Sequence, residues 1–327
     1  MKVVKNFSFI LLALLNFYTC EKRAIPPESN QLSFPSNFRA INNFRSIKLY
    51  WTPINQKDIA GYKIYSGTES KSYMDTLFVT SEVSNTELKD LKDDQQYFCA
   101  ISTVDVNNKE SELSEEIGIR TYVIFEDFSQ SEETLDTTKW HYEVGYSVPV
   151  IEQKVSAAEI QFNDVQMRRS FGQYLNYTPL NNFVVECDFQ LGTPNVGGAG
   201  LMIRSEKANP ARYYKGYNAF IFWNFNNWEL RLEESLVDRF AMPNAIPIKL
   251  PEIRSDEWIK LSMLYKKGSI EAAVFRLSDY SVLGTVAASD SDEGKRPNES
   301  DNYCGFFTTQ YGGNIIYADN FGIRRLD

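Results

Sequence analysis

Two strings in this chain place carboxylates at the spacing that a β-strand turns into one face. The first is Glu186-Cys187-Asp188-Phe189-Gln190; the second is Glu229-Leu230-Arg231-Leu232-Glu233. Strand side chains alternate, so positions i, i+2 and i+4 project together. A retaining glycosidase needs two carboxyl groups about 5–5.5 Å apart, one acid and one nucleophile. The first string has Gln190 where a second Glu would stand. In the second, Arg231 lies between Glu229 and Glu233, which favours a solvated, charge-paired sheet face. Glu229 and Glu233 are therefore the runner-up catalytic pair. His141, the single histidine, stands in WHYEVG with no evident partner, so a Ser-His-Asp or Cys-His device is not expected.

A second constellation suits sugar binding. Residues 212 to 228 supply Arg212, Tyr213, Tyr214, Tyr217, Trp223, Asn224, Asn226 and Trp228. Aromatic faces can stack on pyranose rings while Arg, Asn and Asp read hydroxyls. Phe220, Phe222 and some of the tyrosines fill a core. Tyr213, Tyr214, Trp223 and Asn226 lie at or near turns and are the ligand candidates, with Arg204 placed on the same face. A third constellation is FEDFS (125–129) with YADNF (317–321). These acidic pairs, flanked by aromatics, bracket the longer half of the chain. Glu126, Asp127 and Asp319 offer the hard oxygen ligands that Ca²⁺ prefers. The competing reading makes them polar residues on neighbouring strands, with Phe125, Phe128, Tyr317 and Phe321 in the core.

The elements that must position these residues are strands. Residues 35 to 121 carry SIKLYW (46–51), GYKIYSG (61–67), DTLFVT (75–80), YFCAISTVD (97–105) and IGIRTY (117–122), at the spacing of a β-sandwich. Tyr97, six residues after Leu91, is placed to form a tyrosine corner. Residues 122 to 327 carry NFVVECDFQLG (182–192), with Val185, Cys187, Phe189 and Leu191 on one face. GGAGLMIRS (197–205) follows. GYNAFIFWNF (216–225) is apolar on both faces, as a covered central strand is. EWIKLSMLYKKGSIEAAVF (257–275) is a hairpin turning near Lys267-Gly268, and residues 304–323 give the last pair of strands. The join TYVIFEDF has no Gly, Pro or Ser run, which predicts a stiff connection.

With 327 residues, 43% hydrophobic and 14% aromatic, the chain suits two all-β cores. A net charge of −9 argues against nucleic acid and anionic membrane surfaces as partners. Lys2 and Lys5 precede an apolar run, Phe7 to Phe17, too short to span a bilayer, which reads as a signal peptide over residues 1–19. Its loss removes two lysines, so −9 − 2 gives −11 for the mature chain. Phe17-Tyr18-Thr19-Cys20 resembles a bacterial lipobox, which implies lipidation at Cys20 and attachment to the cell envelope, at the outer membrane or cell surface. Residues 20–34, with Pro26 and Pro27, read as a tether. Cys99 and Cys187 sit in apolar alternations as buried small hydrophobes; a Cys187–Cys304 disulfide is an open alternative.

The order Pro35, Ala40, Ile47, Leu49, Trp51, Tyr62, Ile64, Leu91, Tyr97, Ile101, Asp105, Ser111 resembles a fibronectin type III domain. That resemblance implies core roles for Trp51 and Tyr97; no Arg-Gly-Asp loop supports integrin binding. From residue 122 on, the FEDF start, Trp140, NNFVVECDF, GGAGLMIR, GYNAFIFW, WIKLSMLYKKGSIEAAV, CGFFTTQYG and YADNFGIRRL resemble a concanavalin A-like jelly roll of the laminin G and glucanase type. This implies a fold shared by lectins, glycan hydrolases and adhesion modules. The resemblance also implies a structural Ca²⁺ between the first and last strands. Laminarinase-type relatives would carry an E-x-D-x-E strand, which this chain lacks. The expectation is a lipid-anchored, non-enzymatic envelope protein whose jelly roll binds a glycan or matrix ligand. Alternatives are a glycoside hydrolase of the same fold and a purely structural or protein-interaction module.

Overall fold

The computed structural model describes residues 32–43, 45–128, 136, 138–141, 149–151, 155–157, 168–174, 182–192, 197–205, 216–236, 239–241, 247–289, 303–310 and 316–326. Cys20, Tyr213 and Tyr214 lie outside the described residues. Among the described residues no helix is long and apolar enough to cross a membrane.

The strands sort into two groups. The first is β1 (Ser36–Asn43), β2 (Ser46–Thr52), β3 (Ile59–Gly67), β4 (Asp75–Thr80), β5 (Asn85–Leu88), β6 (Gln96–Asp105) and β7 (Ile117–Arg120). These make two sheets, β1-β2-β5 and β4-β3-β6-β7, the sandwich of a fibronectin type III domain. Alternation puts Ile47, Leu49, Trp51, Tyr62, Ile64, Cys99 and Ile101 between them. Trp51 meets Tyr62 edge-on, with ring centroids 5.5 Å apart. Tyr97 forms the expected corner: its hydroxyl accepts the Lys92 N–H at 3.1 Å. The short strand β5 has no signal in the sequence, because four residues are too few to show a period.

The second group is β8 (Ile124–Glu126), β9 (Trp140–His141), β10 (Pro149–Ile151), β11 (Val155–Ala157), β12 (Arg168–Tyr174), β13 (Asn182–Gln190), β14 (Gly197–Ser205), β15 (Gly216–Trp223), β16 (Trp228–Leu236), β17 (Arg239–Ala241), β18 (Ile248–Lys249), β19 (Trp258–Lys266), β20 (Ser269–Arg276), β21 (Val282–Ser289), β22 (Tyr303–Gln310) and β23 (Tyr317–Arg325). One sheet runs β10-β11-β23-β13-β19-β20-β21 with β8 on β23. The other runs β17-β16-β15-β14-β22-β12-β9 with β18 on β16. Packed face to face, they form a concanavalin A-like jelly-roll sandwich. Its core takes Val185, Cys187, Phe189 and Leu191 from β13, Leu201 and Ile203 from β14, and Trp228, Leu230 and Leu232 from β16. The β19–β20 hairpin turns at Lys267 and Gly268, both at positive φ (47° and 80°), as a two-residue type I′ loop requires. β22 and β23 do not pair with each other; they lie in opposite sheets. The opening and closing strands are neighbours, with Glu126 opposite Phe321 and Phe125 opposite Gly322.

The connection between the sandwiches is pinned by polar contacts. Asp94 binds Arg120 at 3.0 Å and also Arg325, and the Val123 N–H donates to Ile323 O at 2.8 Å. Tyr50 meets Tyr280 at 5.9 Å. Tyr122 turns onto the outer face of β13, where its hydroxyl donates to Glu186 Oε2 at 2.6 Å. Ser262 donates to Glu186 Oε1 at 3.0 Å, and Arg324 lies 3.7 Å from that oxygen. Beside them Lys260 and Asp188 pair at 2.8 Å, and Asn320 Nδ2 donates to Asp188 Oδ2 at 2.9 Å. Two buried carboxylates thus balance two cations, which is how a buried charge is tolerated. Burial pushes the Glu186 carboxyl up, but Arg324, Lys260, Tyr122 and Ser262 outweigh it and hold the group below its usual value. Burial pulls Lys260 down, and Asp188, with Tyr122 and Glu186 behind it, drives it well above the ordinary lysine value.

Candidate functional site

Among the described residues, ligand-type side chains gather at the tip of the β15–β16 hairpin. Trp223 pairs with Trp228 across the last register position, and the rings meet at 5.3 Å. Trp228 is buried, and its indole N–H donates to Ile253 O at 3.3 Å. Trp223 is half-buried and packs on the core edge. Between them Asn224, Phe225, Asn226 and Asn227 make the turn. Asn224 Oδ1 accepts the N–H groups of Asn226 (3.2 Å) and Asn227 (3.1 Å), and Asn224 N–H donates to Asn227 O at 3.2 Å. These bonds fix the loop by the local side-chain-to-backbone chemistry of Asn. They hold Phe225 at φ 73°, uncommon for a residue with a Cβ, and leave it 74% exposed. Asn226 is exposed beside it.

The tip continues onto the outer face of β16. Glu229 accepts from Asn227 Nδ2 at 3.3 Å, from Asn224 Nδ2, and from Arg231 Nε and Nη2 at 3.0 and 2.8 Å. The Arg231 guanidinium also lies over the Phe222 ring, 4.4 Å from its centroid. Glu233 is buried opposite Asn218. Arg231 therefore engages one member of the runner-up catalytic pair, and Glu229 has its oxygens committed to amides and a guanidinium. Glu229 and Arg231 are charge-paired, as the intervening Arg predicts, but the face is not the solvated one expected, because Glu233 is buried. Glu186 and Asp188, the other candidate string, are locked in the network at the junction of the sandwiches.

Arg204 is a correction. Gly197 is the residue of β14 opposite Trp223, and Arg204 lies seven residues further along, roughly 23 Å at strand rise. A register shift between Met202 and Ser205, with Arg204 at φ 47°, turns its side chain inward. The guanidinium lies 4.7 Å from the centroid of Tyr265, a core residue, and its Nε is buried. A bulge re-aims a side chain, and simple alternation does not foresee that.

The described donors do not fit a calcium site. Lys139 binds Glu126 Oε1 at 3.0 Å, Asp319 Oδ1 accepts the Asn320 N–H at 2.8 Å, and Asp319 stands opposite Asp188. Among the described residues no group of three Asp, Glu, His or Cys gathers around a common point. Cys99, Cys187 and Cys304 are buried and not joined in disulfides, so the alternative of a Cys187–Cys304 disulfide is not realised. Cys187 instead directs its thiol to Asp319 O at 3.3 Å. Phe225 is the residue that sequence reasoning missed. It continues an apolar run, and the signal that could have exposed it is the Asn-rich turn closing around it.

No protein-family model matches the chain. No curated protein matches it in sequence. Among solved structures it is similar to lectin I from Ulex europaeus, determined with the methyl glycoside of α-L-fucose, at TM-score 0.42 and 10% identity over 59% of this chain and 95% of the lectin. A Bacillus subtilis protein of unknown function with a galectin-like fold gives TM-score 0.42 and 11% identity over 62% of this chain and 96% of its own. The fn3 domain of human contactin 1 gives TM-score 0.26 and 17% identity over 33% and 88%. Scores and identities of this size carry no argument about what the chain binds; the fold is set by the strand order itself.

Proposed function

We propose that this chain is a carbohydrate-binding protein of the bacterial cell envelope that takes its sugar at the β15–β16 tip. One observation carries the reading: an aromatic ring, Phe225, is held out in solvent at positive φ by a turn built from three asparagines. Backbone outliers of this kind cost roughly 1–3 kcal/mol and persist where the surroundings enforce them. A rigid exposed ring gives a pyranose face a stacking platform without an ordering cost on binding. Trp223 at its base and the exposed Asn226 beside it supply an apolar wall and hydroxyl-reading amides. In this reading the protein is attached through a lipid on Cys20, residues 20–34 act as tether, and the first sandwich is a spacer holding the jelly roll off the membrane. The stiff connection through Tyr122 and Asp94 suits a spacer.

A glycan array tests this. The protein should bind a defined set of glycans, and Phe225→Ala, which removes an exposed ring and leaves the core untouched, should abolish that binding with unchanged melting temperature. A wild-type protein that binds no glycan sinks the reading and leaves a protein-interaction module. Release of reducing sugar that Glu229→Gln abolishes would favour a hydrolase instead. The anchor is tested separately, by loss of palmitate labelling in Cys20→Ala.

A further inference from the structure

The first sandwich carries an edge strand with little of the usual protection, its one charge being Asp75 at the first position. β4 ends the order β4-β3-β6-β7, so among the described residues one side of it has no strand partner. Natural edges are blunted by shortness, by bulges, by Pro or by Lys and Arg. The other edges of this sandwich follow that pattern. β5 and β7 have four residues each, β7 ends in Arg120, and β1 carries Arg39 and a register shift. β4 is six residues of unbroken register against β3, with no Pro, Lys or Arg. Leu77 is 38% and Phe78 49% exposed.

The register shows which groups are unpaired. Ser81 N–H donates to Ala60 O, so the odd-numbered residues of β4 exchange main-chain bonds with β3. The N–H and C=O of Thr76 and Phe78 and the N–H of Thr80 therefore point off the edge, while Thr80 O accepts the Val83 N–H at 3.1 Å. The three edge residues lie in a near-palindrome, Thr76-Leu77-Phe78-Val79-Thr80, centred on Phe78.

We propose that β4 pairs antiparallel with β4 of a second copy of this chain, about a two-fold axis at Phe78. In that register Phe78 faces the second copy's Phe78, Thr76 faces Thr80, and Leu77 faces Val79. The outward-pointing residues meet each other, so the Phe78–Phe78 pair exchanges two main-chain hydrogen bonds and each Thr80 N–H donates to a Thr76 carbonyl. Aromatic–aromatic, Thr–Thr and apolar cross-strand pairs are the ones that stabilise sheets, and no like charges oppose one another. Asp75 meets Ser81. The Phe78 ring already lies on the outer sheet face over Gly61, where a Cβ would stand 2.6 Å from Phe78 Cζ, so its partner ring can settle beside it. The product is one continuous sheet of two copies of β7-β6-β3-β4. A two-fold assembly also makes any ligand site on the jelly roll bivalent, which raises avidity without a new contact.

The test uses the full chain in mild non-ionic detergent, in a Cys20→Ser background in which the remaining thiols are buried. A hydrogen-bonded antiparallel pair holds its Cα atoms about 5.5 Å apart, within disulfide reach. Phe78→Cys should therefore give a disulfide-linked dimer on mild oxidation. Thr76→Cys should not, because the two copies of residue 76 would stand four residues apart, roughly 13 Å. Sedimentation equilibrium should show self-association of the parent protein, weakened at least tenfold by Phe78→Lys, with a melting curve confirming the fold. Monomer at every concentration, or equal crosslinking at residues 76 and 78, overturns the proposal; the first result would leave the edge to a strand from another protein.

Discussion

Replacing Tyr122 by Phe removes one oxygen from the junction of the two sandwiches. That oxygen donates at 2.6 Å to Glu186 Oε2, a carboxylate buried beneath the first sandwich. A hydrogen bond to a charged group contributes about 1.5–3 kcal/mol. Ser262 and Arg324 remain on the other carboxylate oxygen, so the loss is expected near 2 kcal/mol, or roughly 4–8 °C in the melting temperature of a unit of this size. The pH dependence gives a second readout. In the folded state Glu186 is held below its usual value of 4.5: burial pushes it up, and Arg324, Lys260, Tyr122 and Ser262 together outweigh that. A depressed carboxylate contributes stability above its unfolded value and loses it as pH falls through the folded value. Without the Tyr122 hydroxyl the folded value rises, so the acid loss of stability begins at higher pH. The gap between variant and wild type is widest above 4.5 and closes once Glu186 is protonated in both. Thermal and urea unfolding from about pH 3 to pH 7 would read this. Tyr97→Phe is the control. Its hydroxyl serves only the neutral Lys92 N–H, so it should cost about 1 kcal/mol and leave the acid limb unmoved. A Tyr122→Phe protein that melts with wild type at neutral pH, or that keeps the wild-type acid limb, would refute the reasoning.

Other outcomes follow from the same geometry. A Cβ at Gly322 would stand 2.6 Å from Tyr122 Cε1, so Gly322→Ala should displace that ring and cost about 1–3 kcal/mol in a chemical melt. Lys260→Met strands the buried Asp188 and should cost about 3–5 kcal/mol, and pairing it with Asp188→Leu should recover most of that. Burial, with Glu116 adding to it, pushes the Cys99 thiol up to about 12, and burial drives Cys187 well above its ordinary value. A thiol reagent should therefore modify Cys99, Cys187 and Cys304 only after denaturant is added. EDTA should leave the melting temperature unchanged; a fall would restore a Ca²⁺ bridge involving Glu126, Asp127 and Asp319.

Local chemistry was legible without a structure. Alternation in residues 182–192 identified Val185, Cys187, Phe189 and Leu191 as a core face, because a period of two puts alternate residues on one side of the strand. The Lys267-Gly268 turn and the Tyr97 corner could also be read, since each depends on residues close in sequence. The sequence did not show what covers the other face of a strand. Glu186 and Asp188 follow the same alternation as Glu229 and Arg231. The first pair is buried and the second half-open, and Tyr122, which arrives from outside the sheet, binds Glu186 in the first. A bulge at the end of β14 turned Arg204 inward, and the closing bonds of an asparagine turn put Phe225 in solvent. Side-chain period is a property of the local backbone and belongs to the sequence. Exposure and partnership depend on contacts between residues distant along the chain, and only the tertiary structure fixes them.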